Sequence, residues 1–418
     1  MRELSSTVTI DHTNRLHWLP TTDYNRERSI HLRVLNANGR YFMQAWGSAF
    51  PQDGGGSYAG WITTDVATIQ GGIADLRQAW QQAVIDRTEP GRRPVRRPFV
   101  DDWDLAGPDD RTYLEHAGLA LARAGYALFS LLFLNGDDAM REITARIVAA
   151  VRSGEQVITV ESDDLFAPWG MLYVPAAEDD DIWAADYRWV PEGFWGYQHL
   201  LEHNFSRALA FDSRVTIAGT PHVGLNVDER VDSDHPPTPC VRPIIDFFSA
   251  HTDTTVRRTK SALAQALNSK EFADDIIYFG CHGTVDGIGE RPYLALGDGE
   301  KIYSSEVVAW LTNNPLATRP VVFIGACQGG QLASMFYPSF GHHLLQRGAR
   351  CLIGPQIDLP RAFAPEYATQ LFTEFLRHQR LGDTVRYLAR MFLDRYHNPL
   401  GLIFSLYRGI DVHLGPPE

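Results

Sequence analysis

The sequence predicts an α/β fold built on a mostly parallel sheet flanked by helices. Three observations predict it. Short, continuously apolar runs recur through the later three quarters of the chain, segments with helical patterning lie between them, and several of the runs stop abruptly at glycine or polar residues. A strand covered by helices on both faces reads as an unbroken apolar run rather than as an alternation. Such runs separated by helices are the pattern of a parallel-sheet α/β domain.

The four clearest strand runs are VTIAG (Val215 to Gly219), IIYFG (Ile276 to Gly280), VVFIG (Val321 to Gly325) and CLIGP (Cys351 to Pro355). The helical segments between them include TKSALAQAL before Ile276 and SEVVAWL before Val321, and RAFAPEYATQLFTEFL follows the last run. Residues 1–100 read differently, as a small α+β module. RSIHLRVLNANGRYFMQAW alternates about Asn38-Gly39, and an Asn-Gly step suits a tight hairpin because both residues tolerate positive φ. A helix is expected over about Thr64 to Asp86, with Val66, Ile69, Ile73, Leu76 and Trp80 near helical spacing. GRRPVRRP, from Gly91 to Pro98, then breaks all periodicity and reads as a basic, solvated linker.

The chain has 418 residues, 44% hydrophobic and 21% charged, the balance of an ordinary globular protein with room for a large core. Its formal net charge of -13 argues against a general nucleic-acid binder, which would carry a basic face. The N-terminal run lacks the basic-then-apolar order of a secretory leader. Ala117 to Leu134 approaches the length of a membrane span, but Arg123 sits inside it, so a buried core helix is the expectation. The four cysteines, Cys240, Cys281, Cys327 and Cys351, have neither zinc-ligand nor disulfide spacing. A reducing, cytoplasmic setting without metal or cofactor follows from these readings, with no membrane or nucleic-acid partner.

The chemistry-bearing residues stand just after two of the strand runs. IIYFG leads into Cys281-His282-Gly283, and VVFIG leads into Ala326-Cys327-Gln328-Gly329-Gly330. Active sites of open parallel sheets lie beyond the carboxyl ends of strands. If the two strands are neighbours, an imidazole and a thiol reach the same edge. A free thiol, with a pKa near about 8.5, is mostly protonated at neutral pH. A nearby imidazole stabilises the thiolate or shuttles its proton. Backbone N–H groups at Gly283 and after Cys327 are candidates for an oxyanion hole. The segments Thr284 to Pro292 and Gly329 to Phe340 read as surface loops around this dyad. Cys240, Cys281 and Cys351 read as packing residues. The spacing Gly325-Ala326-Cys327-Gln328-Gly329 also fits a nucleophile elbow, but the upstream His282 argues for a caspase-like order.

These blocks resemble the CHAT family, a caspase-like group that is also similar to separase. Ile276 to Gly283 and Val321 to Gly330 resemble its His and Cys blocks, Pro168-Trp169-Gly170-Met171-Leu172-Tyr173 an upstream block, and Gly348 to Asp358 a later strand ending near an acid. Gly170 stands where the family usually has Glu, and Cys281 where Gly or Ser is common. The resemblance implies a caspase-like sheet, with a pseudo-caspase half at 105–210 and a catalytic half at 211–418. It implies a cysteine endopeptidase cutting a partner protein through Cys327 and His282, with Gly283 and Cys327 N–H groups at the oxyanion. It further implies a switched protease of bacterial defence, woken by an activating protein or ligand. Members lacking the dyad are scaffolds, and a silent binding module is the alternative. Separase-like relatives carry an acidic residue near the position of Asp358, which would pair with a basic substrate residue.

Overall fold

Asn38 and Gly39 sit at φ +53° and +77°, the left-handed pair a tight hairpin needs. They join β1 (Ile30–Ala37) to β2 (Arg40–Trp46), and β3 (Tyr58–Asp65) completes an antiparallel meander. Further along come β4 (Val157–Glu161), β5 (Leu200–Asn204), β6 (Arg214–Val215), β7 (His222–Val227), β8 (Asp253–Arg257) and β9 (Ile276–Gly280). They are followed by β10 (His282–Asp286), β11 (Arg291–Ala295), β12 (Lys301–Tyr303), β13 (Val321–Ile324), β14 (Cys351–Pro355), β15 (Phe404–Tyr407) and β16 (His413–Leu414). This computed structural model describes residues 25–51, 57–89, 91, 95–107, 110–205, 212–217, 219–234, 239–286, 291–325, 340–357 and 359–415.

Eleven strands form one sheet in the order β3-β2-β1-β4-β5-β15-β14-β13-β9-β7-β8. Strands β1, β4, β5 and β15 run parallel to one another. Strands β14, β13, β9, β7 and β8 form a second parallel block. The two blocks meet at the antiparallel pair β14–β15, so they point in opposite directions. Their carboxyl ends therefore lie on opposite rims of the sheet. Helices cover it as expected of a mixed α/β fold. Lys260–Leu267 and Ser304–Trp310 fall where the sequence predicts them, as does Phe363–Leu376 after β14.

Two strand expectations are corrected. Among the described residues of VTIAG only Val215 is in a strand, the two-residue β6, which pairs with β16 outside the large sheet. The sheet strand is β7, HVGLNV, seven residues further on. Its polar members hid it. Asn226 is fully buried and donates to the Tyr278 and Gly224 carbonyls, and Gly224 leaves room for the Arg257–Asp274 ion pair. The segment after His282, expected as a loop through Pro292, instead supplies β10 and the start of β11, with residues 287–290 outside the described set. This three-stranded sheet is held by Asp286, which accepts from Lys301 Nζ at 3.1 Å and Tyr303 Oη at 2.8 Å.

The strands of the first hundred residues are the outer part of the common sheet. Ile30, Leu32 and Val34 of β1 share one core with Ile158 and Val160 of β4. In the linker that follows, Arg96 folds back onto Asp110 at 2.9 Å and Glu89 at 3.4 Å. The apolar helix is a core helix. The stretch Arg111–Leu134 is long and apolar enough to cross a membrane by composition alone, yet Leu121, Ala122, Leu128 and Phe129 are buried in the fold. Arg123 Nε and Nη2 donate to the Ile182 and Ala184 carbonyls, both at 2.9 Å, which anchors the guanidinium within the protein.

Candidate active site

The two strands that precede the His and Cys motifs are direct neighbours. β9 and β13 pair in parallel, with Val321 beside Ile276 and Ile324 beside Phe279. Gly325 N–H continues the ladder to the Phe279 carbonyl at 2.8 Å. Both strands finish in glycine for a steric reason. A Cβ on Gly280 would meet the Tyr278 ring at 2.7 Å, and one on Gly325 would meet the Tyr278 hydroxyl at 2.8 Å. Tyr278 is buried and stacks on Phe323 of β13 at 5.3 Å, so it cannot give way cheaply. The glycines let a bulky aromatic lie across the strand ends while the backbone runs on.

His282 is the second residue after Gly280 and opens β10 opposite Ala295. Gly283, the next residue, is buried opposite Leu294. The His282 side chain is 30% exposed and its Nε2 lies 4.0 Å from Oδ2 of the wholly buried Asp228. Asp228 follows β7, and its N–H donates to the Gly280 carbonyl at 3.0 Å, which ties it to the strand carrying the His. Arg230 grips Asp228 with two parallel bonds of 2.9 Å and reaches the Leu296 carbonyl with the same nitrogen. Burial pushes the Asp228 carboxyl upward, but the Arg230 hydrogen bonds and charge outweigh it and hold the group below the usual carboxylate range. Asp228 is thus an anion lodged behind the imidazole.

A shallow pocket with a cavity volume of about 20 Å³ lies beside His282, and its lining includes Gly280, His282, Gly325, Val231, Cys240 and Arg361. Burial raises the Cys240 thiol to about 11 and the Cys351 thiol to about 12. Both suit the packing role the sequence suggests, and Cys281 is buried as well. Cys327 and Asp358 lie outside the described residues, so His282 and Gly283 are the predicted site residues with a described environment. Among the described residues, no three His, Cys, Asp or Glu side chains converge as a metal site.

Sequence reasoning missed Asp228, Arg230 and Arg361. All three were legible only once β7 was found, because Asp228 and Arg230 follow its end and Arg361 packs against Val231 just beyond.

The CHAT domain model matches residues 238–394, a segment that holds His282 and Cys327. A protein of Vitiosangium sp., described as a probable protease, is 24% identical over 430 residues, covering 88% of this chain and 53% of the relative. The chain therefore spans about half the length of that curated relative. Among solved structures, the Saccharomyces cerevisiae separase–securin complex at 2.6 Å aligns with 90% of this chain and 30% of its own, at 10% identity and a TM-score of 0.43. The Drosophila initiator caspase Dronc aligns with 50% of this chain and 87% of its own, at 10% identity and a TM-score of 0.28.

Proposed function

We propose that this chain, whose residues 238–394 match the CHAT domain model, is a caspase-like cysteine endopeptidase with Cys327 as nucleophile and His282 as its acid–base partner. The observation that carries the reading is the parallel pairing of β9 with β13, which sets Gly280 and Gly325 side by side two residues before His282 and Cys327. In the proposed reaction His282 takes the thiol proton and the Cys327 sulfur attacks the scissile carbonyl carbon. N–H groups of Gly283 and Cys327 stabilise the oxyanion. The C–N bond breaks and the amine leaves with the proton from His282. Water, deprotonated by the same imidazole, then hydrolyses the thioester and the thiol returns. Asp228 acts as a positioning residue, orienting His282 from 4.0 Å behind its Nε2.

The substrate is a protein, and the CHAT resemblance supports a switched protease of bacterial defence acting in the cytoplasm. In this reading residues 105–210, which hold β4 and β5, are the pseudo-caspase half, and residues 211–418, which hold the second parallel block, are the catalytic half. The direct test is turnover of a partner protein by purified chain, followed by mass spectrometry of the new termini. Cleavage retained in full by Cys327→Ala would sink the assignment. Low turnover by the lone chain, raised by a partner, is the expected sign of a switch. Deleting residues 1–100 is a poor test of it, because the deletion strips β1 from β4.

A further inference from the structure

The cavity beside His282 is bounded by Val231, Val241 and Ala364 together with the strand-end glycines Gly280 and Gly325, so its walls are mostly apolar. Tyr278 closes its floor. The ring runs along β9 past Gly280, and its hydroxyl stands 2.8 Å from where a Cβ on Gly325 would be, in the space a side chain at that position would fill. Tyr278 is buried, stacked on Phe323 at 5.3 Å and tilted against Phe248 at 6.0 Å, so the floor is fixed. The volume left, about 20 Å³, holds one water or one methyl-sized group. Apart from His282 itself, the lining offers no charge to a ligand. Arg361 donates Nη2 to the Val231 carbonyl, and its Nε and Nη1 are too buried to open onto the cavity. Burial keeps the Cys240 thiol protonated by raising it to about 11. Asp232 accepts the backbone N–H groups of Cys240, Val241 and Arg242 at 2.6 to 2.9 Å, and Asp228 is held by Arg230. An ion brought into such a cavity would lose its water without gaining a partner.

We infer that this cavity receives the side chain of the substrate residue before the scissile bond, that it admits an uncharged side chain no larger than that of Ala or Ser, and that Tyr278 is the specificity-determining residue that sets this limit. The inference rests on the proposed peptidase reading, in which the scissile bond lies at His282 on the rim of the cavity. An apolar pocket of fixed depth discriminates by about 10-fold to 200-fold for one methylene. The inference departs from the expectation attached to Asp358, which calls for a basic substrate residue, so one experiment separates the two.

The experiment measures binding apart from cleavage. Capped tetrapeptide amides that differ only in a final Ala, 2-aminobutyrate, Leu, Asp or Arg are titrated by calorimetry into the full chain carrying Cys327→Ala. The Ala peptide is expected to bind about tenfold or more tightly than the Leu, Asp and Arg peptides, a difference of about 1.4 kcal/mol or more. Tyr278→Phe, added to the same chain, removes the hydroxyl and keeps the ring, which deepens the cavity at its floor. In that variant the preference for Ala over 2-aminobutyrate should fall or reverse, while Leu, Asp and Arg stay poor. A purely structural hydroxyl would weaken all the peptides alike and leave their ranking unchanged, which overturns the part assigned to Tyr278. If Tyr278→Phe fails to fold, as its melting temperature will tell, the ranking on the chain with Tyr278 intact still decides. Leu, Asp or Arg binding as tightly as Ala overturns the inference, as does an Ala peptide that does not bind. The same peptides with one further residue are then offered to the chain with Cys327 intact. No turnover of any of them, with Ala-selective binding retained, would count against the peptidase reading and leave the small-residue cavity standing.

Discussion

Each parallel block of the sheet buries a carboxylate, and both are satisfied by an arginine and backbone N–H groups, but they face different surroundings. In the first block Glu202 of β5 is almost wholly buried and both its oxygens are filled. Oε1 takes Arg28 Nε at 3.0 Å and Thr159 Oγ1 at 2.7 Å, and Oε2 takes the Gly409 and Ile410 N–H groups at 2.9 and 3.0 Å. Burial pushes this carboxyl up, yet Arg28 and the other donors bring it below its ordinary value. In the second block Asp228 is just as buried, but it backs a half-buried imidazole that lines a pocket. Burial of charge is common to both. What distinguishes the candidate site is that its carboxylate stands 4.0 Å from a titratable ring that lines a pocket, and that difference separates structural from chemical roles.

The largest effect expected from this contrast is on turnover. His282→Ala or Cys327→Ala should lower kcat/KM by about 10³-fold or more while leaving the melting curve in place. Glu202→Ala should do the reverse. It leaves Arg28 with Asp411 alone and the buried Gly409 and Ile410 N–H groups unpaired, and should cost about 3–5 kcal/mol of stability in denaturant unfolding, with kcat per folded molecule unchanged. A Glu202→Ala protein of normal stability and lost kcat would break the comparison.

Asp228→Asn tests the boundary between the two roles. If Asp228 works through His282, kcat should fall by about tenfold to a hundredfold with KM nearly constant, because only the alignment of the imidazole has changed. Loss of stability equal to that of Glu202→Ala, with kcat intact, would move Asp228 to the structural side.

The same contrast explains what was legible in the sequence. β9, β13 and β14 were readable because they are continuously apolar, and the dyad residues follow two of them. The Asn38-Gly39 turn was readable because its backbone requirement is local. β5 was not readable. LLEHN carries Glu202 and His203 inside the core, and the partners that permit this, Arg28 and Gly409, lie 174 and 207 residues away in the chain. β7 was lost to Gly224 and Asn226 for the same reason, and with it went Asp228. The β10–β11 hairpin lacks an apolar period, and its support comes from side chains outside it, Lys301 and Tyr303 of β12. Polar groups that are satisfied only at long range leave no periodic signal.

The smallest effect expected is a difference in slope, and it places the larger share of the acid sensitivity in the first block. His199 and His203, both buried there, are held down to about 3 by burial, with Arg386 and Arg390 adding to the effect at His199. His199 Nδ1 accepts the Gln156 N–H at 3.1 Å, a bond that the neutral ring makes. Once unfolded, each ring takes a proton near its model value of 6.5, which the folded ring refuses until about 3. Over that interval the unfolded state binds more protons, so stability is full above 6.5 and is lost as pH falls. Each such proton contributes a slope of about 1.4 kcal/mol per pH unit. His31 and His343 shift the same way through burial. Glu202 is also depressed, but it begins to cost stability only below its model value of 4.5. The interval from 6.5 to 4.5 therefore belongs to the histidines, and more acidic pH adds the carboxylate. His199→Asn keeps an acceptor for Gln156 and removes the titration. Its stability, measured by denaturant unfolding at half-unit steps of pH, should fall less steeply between 6 and 4.5 by about 1.4 kcal/mol per unit. Glu202→Gln should leave that interval's slope alone and flatten the curve only below 4.5. An unchanged slope in His199→Asn would mean that the ring is protonated in the folded protein, and the assignment of acid sensitivity to this block would fall.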